Sequence, residues 1–308
     1  MDKLSVIVPC YNEEKAMPLF YKEICKIYRS MEDVEFQLIF IDDGSSDNTL
    51  NEIKKITDSD ERSSYISFSR NFGKEAALYA GLNKASGNYI VMMDVDLQDP
   101  PILLKEMLYY IKIEGYDSVA ARRVNRKGEP IIRSFFARQF YKVINRVSKN
   151  NIADGARDFR MITRQVAEAV LCMNEFNRFS KEMFSWVGFK IKWIEYENEN
   201  RVIGESKWSF RKLFIYAING IMAFSTIPLS IATIAGSLFI GVSIIMLCIF
   251  IIKILFFSEK VGGLPWLILI MFFIGGIQLF CTGIVGQYLA KVYIETKKRP
   301  VYIIKEEV

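Results

Sequence analysis

Over its first 121 residues the chain alternates short, nearly continuous apolar runs with stretches of helical pattern, and nothing else in it constrains the fold so tightly. LSVIVP leads into a helical pattern over Glu13–Arg29, FQLIFID into Asp47–Thr57, YISFS into Gly73–Lys84 and NYIVMMD into Pro100–Ile113; DSVAA follows. Apolar strands separated by helices describe an α/β fold with a mostly parallel sheet covered on both faces. Ligands of such sheets bind beyond the carboxyl ends of the strands. The polar residues gather there: Pro9 to Glu14 after the first run, Asp42 to Ser45 after the second, Ser69 to Lys74 after the third, and Asp94, Asp96 and Asp99 after the fourth.

The fourth run ends abruptly as NYIVMMDVDLQD, Asn88–Asp99. Side chains repeat every second residue along a strand, so extended backbone here sets Asp94 and Asp96 on one side. Two carboxylates are too few to cage Ca²⁺, but they suit Mg²⁺ or Mn²⁺, which keep positions open for water and phosphate oxygens. Taken alone, the pattern reads more readily as a polar turn after a buried strand, and DDGSSD as a turn with a helix cap. Four polar strand ends on one edge shift the balance to a ligand site. GxGxxG and the P-loop pattern GxxxxGK[ST] are both absent, which leaves a metal-dependent nucleotide site.

At 308 residues and 51% apolar content, the chain has apolar sequence beyond what one core needs. Leu229–Ile252 is uncharged for 24 residues and Leu264–Ala290 for 27, both above the roughly 20 residues that span a bilayer. Only SEKVGG, Ser258–Gly263, separates the second stretch from the end of the first span, so a transmembrane hairpin is expected. Lys207, Arg211 and Lys212 precede it and Lys291, Lys297, Lys298 and Arg299 follow it, which puts the large N-terminal region and both termini in the cytoplasm. LSVIVPC is too short for a signal peptide. The expected domains are 1–206 (catalytic), 207–226 (an amphipathic interfacial segment), 227–291 (two spans, about 229–253 and 264–290) and 292–308 (a cytoplasmic tail). Gly275, Gly276 and Gly283 permit the close helix contacts of a homo-oligomer.

Absences narrow the chemistry. There is no histidine, which excludes His general bases, Ser-His-Asp triads and His-ligated metals. Five scattered cysteines without CxxC spacing fit neither a disulfide framework nor zinc. The net charge of +5, with no long basic run, points away from nucleic acid and toward phosphates or an anionic membrane surface. Ile131–Val147 and Trp208–Phe224 are basic, aromatic-rich and helical in period, as membrane-surface helices are, although the first fits core packing as well.

VIVPCYNEE, IDDGSSDNT, FSRNFGKEAALYAGL, DVDLQDPP, the DFR at Asp158–Arg160, RVIGESKWS at Arg201–Ser209 and the ending VGQYLAKVYIETKKRPVYII together resemble the family 2 glycosyltransferases of the GT-A fold. The resemblance covers essentially the whole chain. Within the family it is to the bacterial polyprenyl-phosphate glucosyltransferase and dolichol-phosphate mannose synthase type, with a two-helix C-terminal anchor. It implies a Rossmann-like domain and an inverting transfer of a hexose, first of all glucose, from a UDP-sugar to polyprenyl phosphate in the bilayer. Carried over by position, Asp94 and Asp96 hold the metal, and Asp96, Asp158, Lys74 and Arg201 are catalytic. Pro9, Tyr11, Asn12, Glu13, Asp42, Asp43, Arg70, Gly73, Lys74, Asp94, Val95, Asp96, Gln98 and Lys207 bind the nucleotide sugar. Asp158 acts as a base or an orienter, the alternative being a salt bridge to Arg157 or Arg160. Arg122, Arg123, Arg133 and Arg138 are candidates for the lipid phosphate, since a guanidinium matches that oxyanion. The QxxRW pattern of processive synthases is absent, which disfavours chain extension. GDP-mannose or UDP-N-acetylglucosamine as donor, and a non-catalytic membrane scaffold, are the competing readings.

Overall fold

The computed structural model describes residues 1–123, 156–173, 175–176, 178–196 and 263–308, with the backbone alone at Arg123, at Ala156 and at several positions of 264–279. Arg133, Arg138, Arg201, Lys207, the segments 131–147 and 207–226 and the first apolar stretch, 229–253, lie outside these residues. Contacts divide the chain into two units, Met1–Ala217 with Arg299–Val308, and Ile218–Lys298.

The first unit carries one sheet. In chain order its described elements are β1 (Asp2–Cys10), α1 (Met17–Arg29), β2 (Val34–Asp42), α2 (Thr49–Ser59), β3 (Ser63–Phe68), α3 (Lys74–Lys84), β4 (Tyr89–Met92), α4 (Leu103–Lys112), β5 (Ser118–Arg123), β6 (Ala156–Thr163), α5 (Arg164–Leu171), α6 (Ser180–Trp186), β7 (Ile191–Tyr196) and β8 (Ile304–Glu307). The strand order is β7-β5-β6-β4-β1-β2-β3-β8. β1, β2, β3 and β4 run parallel, as the alternation of strands and helices requires. The helices form where apolar residues recur at helical spacing: Met17, Phe20 and Ile24 are the buried face of α1, and Leu104, Met107, Leu108 and Ile111 that of α4. β1 and β2 have helices on both faces, and Leu4, Val6, Ile7, Val8, Ile39, Phe40 and Ile41 are buried without alternation.

Two features depart from a purely parallel sheet. β6 inserts between β4 and β5 and runs antiparallel to both. β8, read from the sequence as part of a tail, pairs antiparallel with β3 and extends the sheet. Tyr302 stacks on Phe68 at 4.9 Å between ring centroids, while Lys54 pairs with Glu306 at 2.8 Å and Lys84 with Glu307 at 3.1 Å. Charged residues suit the exposed edge that β8 now forms, because they discourage further strand addition.

The second unit is described from Gly263 on. Its helix, α7 (Leu264–Thr296), is 33 residues long. Among the described residues no helix is long and apolar enough to cross a membrane, and the hairpin has no support beyond the uncharged sequence Leu264–Ala290.

Candidate functional site

The expected strand ends do converge, and short-range bonds fix them to one another. After β1 the chain turns through Asn12, whose φ is +54°. Its N–H donates to Ser45 Oγ at 3.0 Å, and its side-chain carbonyl accepts the Ser46 N–H at 2.8 Å. The Glu13 N–H donates to Thr49 Oγ1 at 2.7 Å, so the loops after β1 and β2 form one surface. Pro9 is the penultimate residue of β1 beside them, and Tyr11 stands out at 38% exposure.

Asp42 and Asp43 are both buried. Asp42 accepts the Ser45 N–H at 3.0 Å and the Ser67 hydroxyl at 2.7 Å. Asp43 accepts the backbone N–H groups of Phe72, at 2.6 Å, and Gly73, at 2.9 Å. Burial pushes the Asp43 carboxyl up to about 6, against the pull of those two donors. Asp43, a candidate for the nucleotide sugar, takes its described hydrogen bonds from the loop that precedes Lys74. Gly44 adopts φ +65°, and a side chain there would meet the Arg70 carbonyl carbon at 2.4 Å. Only glycine lets these two loops close together. Gly73, at φ +98°, then starts α3, while exposed Arg70 lies over Phe72 at 4.3 Å.

Lys74, in the first turn of α3, is the hub. Its ammonium lies 2.7 and 2.9 Å from the two oxygens of Asp94 and 2.6 Å from Asp158 Oδ2. The sheet explains the meeting. Met92 pairs with Arg160 across antiparallel β4 and β6, so two residues further along Asp94, just past the end of β4, comes beside Asp158, still within β6. Lys181, in α6, approaches Asp158 Oδ1 at 3.9 Å. Burial works against charge on both Lys74 and Asp158, but their mutual attraction outweighs it. The ammonium is held above the ordinary lysine range and the Asp158 carboxyl well below the usual carboxylate range. Asp158 is therefore ionised and neutralised, and the salt bridge foreseen for Arg157 or Arg160 goes to Lys74.

The Asp94–Asp96 stretch is a turn, not strand. β4 stops at Met92; the Met93 N–H still donates to the Ile7 carbonyl at 3.0 Å, after which Val95 buries its side chain and Leu97 turns at φ +55°. Strand alternation is thus not what places the two carboxylates, and Val95 can offer a ligand only its backbone. Behind the turn, buried Asp99 accepts from the Tyr196 hydroxyl and from Arg157 Nε, at 3.3 Å for the latter. Arg157 also donates to the Gln98 side chain at 3.2 Å, and the Gln98 N–H to Asp96 Oδ1 at 3.2 Å. This bracket fixes the turn to β6 and β7. Tyr196 and Lys181 have no part in the sequence expectation, and Arg157 enters it only as an alternative partner of Asp158; no short pattern in the sequence marks these roles.

Of the arginines assigned to the lipid phosphate, Arg122 pairs with Glu195 on neighbouring β7; Arg123 lies on β5 opposite Tyr196. Arg160 is buried over Phe184 at 4.6 Å, and burial lowers its guanidinium to about 10.

The donor set fits a hard divalent cation. Asp94 and Asp96 are partly exposed carboxylates at the strand edge, and the Lys74 ammonium already occupies a cation position against Asp94. Among the described residues no group of three or more acidic, cysteine or histidine side chains converges. A cation here would take two protein carboxylates and keep positions for water and phosphate oxygens.

A family model described as "Glycosyl transferase family 2" matches residues 5–171. Relatives of near-equal length are the putative glycosyltransferase CsbB of Bacillus subtilis (strain 168), 43% identical over 98% of this chain and 91% of its own length, and a prophage bactoprenol glucosyl transferase homolog of Escherichia coli (strain K12), 40% identical over 98% of both. The bactoprenol glucosyl transferase of Shigella phage SfV is 39% identical over 99% of both chains.

Proposed function

The chain belongs to glycosyl transferase family 2, and on that premise we propose that it moves a hexose, glucose first of all, from a UDP-sugar to a polyprenyl phosphate with inversion. The observation that carries this reading is the convergence of Asp94, Lys74 and Asp158 on one strand edge beside Asp96. The names of the curated relatives support the lipid acceptor.

Each side chain has a task in this reading. Tyr11 offers an exposed ring to the base, and the joined loops of Asn12 and Ser45 offer a polar rim to the nucleoside. Mg²⁺ or Mn²⁺, held by Asp94 and Asp96, would neutralise the diphosphate and make it a better leaving group. Lys74 adds a fixed positive charge where the leaving oxygens gather. Asp158 does not serve as a general base, being ionised but neutralised by Lys74 and Lys181. None is needed: a phosphate monoester has a second pKa near 6, so the acceptor oxygen is already deprotonated at neutral pH. That oxygen attacks the anomeric carbon as the bond to the diphosphate breaks.

The proposal includes a membrane anchor with the catalytic domain on the cytoplasmic face. Its support is the sequence: two uncharged stretches of 24 and 27 residues and basic residues on their outer flanks.

Membranes carrying the full chain, incubated with labelled UDP-glucose, UDP-N-acetylglucosamine, UDP-galactose and GDP-mannose and then extracted for lipid, test the reading. Label should enter lipid from UDP-glucose and fall away with a chelator. Transfer from GDP-mannose alone would replace the donor. No lipid label from any donor would leave a scaffold as the better account.

A further inference from the structure

Lys74 occupies both oxygens of Asp94, the carboxylate offered to a cation. The three N–H groups of an ammonium match three oxygens here, the two of Asp94 at 2.7 and 2.9 Å and Asp158 Oδ2 at 2.6 Å. A divalent ion held by Asp94 would compete with the ammonium for the same two oxygens. Two cations repel at such range, so Lys74 has to give up Asp94 for the metal to bind.

We infer that Asp158 is a positioning residue for Lys74, the carboxylate that retains the ammonium when Asp94 is released to a divalent cation. This rests on the reading of Asp94 and Asp96 as cation ligands. The two carboxylates differ in a way that suits the exchange. The two are equally exposed, but Asp94 follows β4 in a turn, beyond the last strand residue. Asp158 lies within β6, between Arg160, which pairs with Met92 of β4 and Ala120 of β5, and Ala156, which pairs with Arg122 of β5, so its backbone is anchored at both ends of a short stretch. Its other oxygen has Lys181 only at 3.9 Å, too long to displace Lys74 at 2.6 Å. Lys181 is itself held in place, since the preceding residue, Ser180, donates its N–H to Glu75 at 3.0 Å, one position after Lys74 on α3. Lys74 reaches both acceptors on a flexible four-carbon stem, so it can trade Asp94 for Asp158 by rotating side-chain bonds while α3 stays still.

The consequence is a coupling between two residues, only one of which touches the metal. Without Asp158 the ammonium falls wholly on Asp94 and competes with the ion. Simple charge arithmetic also predicts weaker cation binding on losing an acid, but by the same factor whether or not Lys74 is present. A double-mutant cycle separates the two.

The experiment measures Mn²⁺ affinity of the full chain in detergent, with saturating UDP, from the electron paramagnetic resonance of free Mn²⁺. Wild type, Asp158→Asn, Lys74→Met and the double variant are compared, with circular dichroism to check folding. Asp158→Asn should weaken binding by about tenfold with Lys74 present and by less than about threefold in the Lys74→Met background. Asp158→Glu, which keeps the carboxylate, should restore most of the affinity. Equal effects in both backgrounds, or none in the first, would overturn the inference while leaving the cation site intact. If Asp158→Asn misfolds, Lys74→Met decides alone: it must bind Mn²⁺ more tightly than wild type, and unchanged or weaker binding overturns the exchange. Wild type that binds neither Mn²⁺ nor Mg²⁺ would remove the cation reading itself.

Discussion

Two pairs of aspartates stand at the same edge of the sheet and are held by opposite means. Asp42 and Asp43, after β2, are buried and take neutral donors: a serine hydroxyl and the backbone N–H groups of Ser45, Phe72 and Gly73. Asp94 and Asp158, on the other side of β1, are partly exposed and share an ammonium. Backbone N–H groups cannot leave without unfolding a loop, whereas a lysine can swing away. The first pair is scaffolding: Asp42 ties β2 to β3 and to its own loop, and Asp43 sets the start of α3. The second is exchangeable, and it is where ligand chemistry belongs.

The sharpest way to test this contrast is to remove the carboxylate that stands beside the exchangeable pair. Asp96→Ala should lower hexose transfer by about a thousandfold, as expected when several kcal/mol of metal-assisted charge stabilisation is lost, while leaving the denaturation midpoint nearly unchanged. On the scaffolding side the balance should reverse. Asp43→Asn sets an amide against two donors and should cost about 1–3 kcal/mol of stability, read from a urea titration. Its effect on transfer should follow from the misplaced Lys74 alone.

pH sharpens the comparison, because the two sides have opposite signs. The Asp43 carboxyl is raised to about 6 in the folded protein, so its contribution to stability is complete below its ordinary value and lost as pH rises through about 6. Asp158 is depressed; its contribution is present above the ordinary carboxylate range and lost only as pH falls below it. Melting temperatures between pH 4 and 7 should therefore show wild type losing ground to Asp43→Asn as pH rises. The advantage of wild type over Asp158→Asn should hold through that window. Parallel curves would refute the assignment. The smallest effect is expected where the same ion-pair chemistry is exposed to water. Lys55→Ala, which breaks the 2.6 Å pair with Glu52 on α2, should change stability by less than about 0.5 kcal/mol.

Much of the fold was legible in the sequence because its signals are local. The boundaries of α3 and β2 follow from periodicity within each element, and the cluster of polar residues at strand ends follows from the parallel order. The placement of Asp94 and Asp96 was legible only in part. Alternation along β4 could not apply, since the strand stops at Met92 and the chain turns where Val95 is drawn into the core and Leu97 takes a positive φ. Asp158 illustrates the harder failure. Its neighbours Arg157 and Arg160 were the nearest cations in sequence, yet on a strand they point to the other side or follow it at a distance. Arg157 turns to Asp99 and Arg160 to Phe184, and the partner of Asp158 is 84 residues away.

By itself the sequence determined an α/β domain with a polar strand edge, two adjacent carboxylates on it, and no histidine to share the work. Tertiary structure alone decided that β6 would run antiparallel between β4 and β5, bringing Asp158 beside Asp94 with Lys74 between them, and that residues Ile304–Glu307 would close the far edge of the sheet. The reason is physical: periodicity and turn preference act over a few residues, whereas charge pairing depends on distance in space, which only the packed order of the strands fixes.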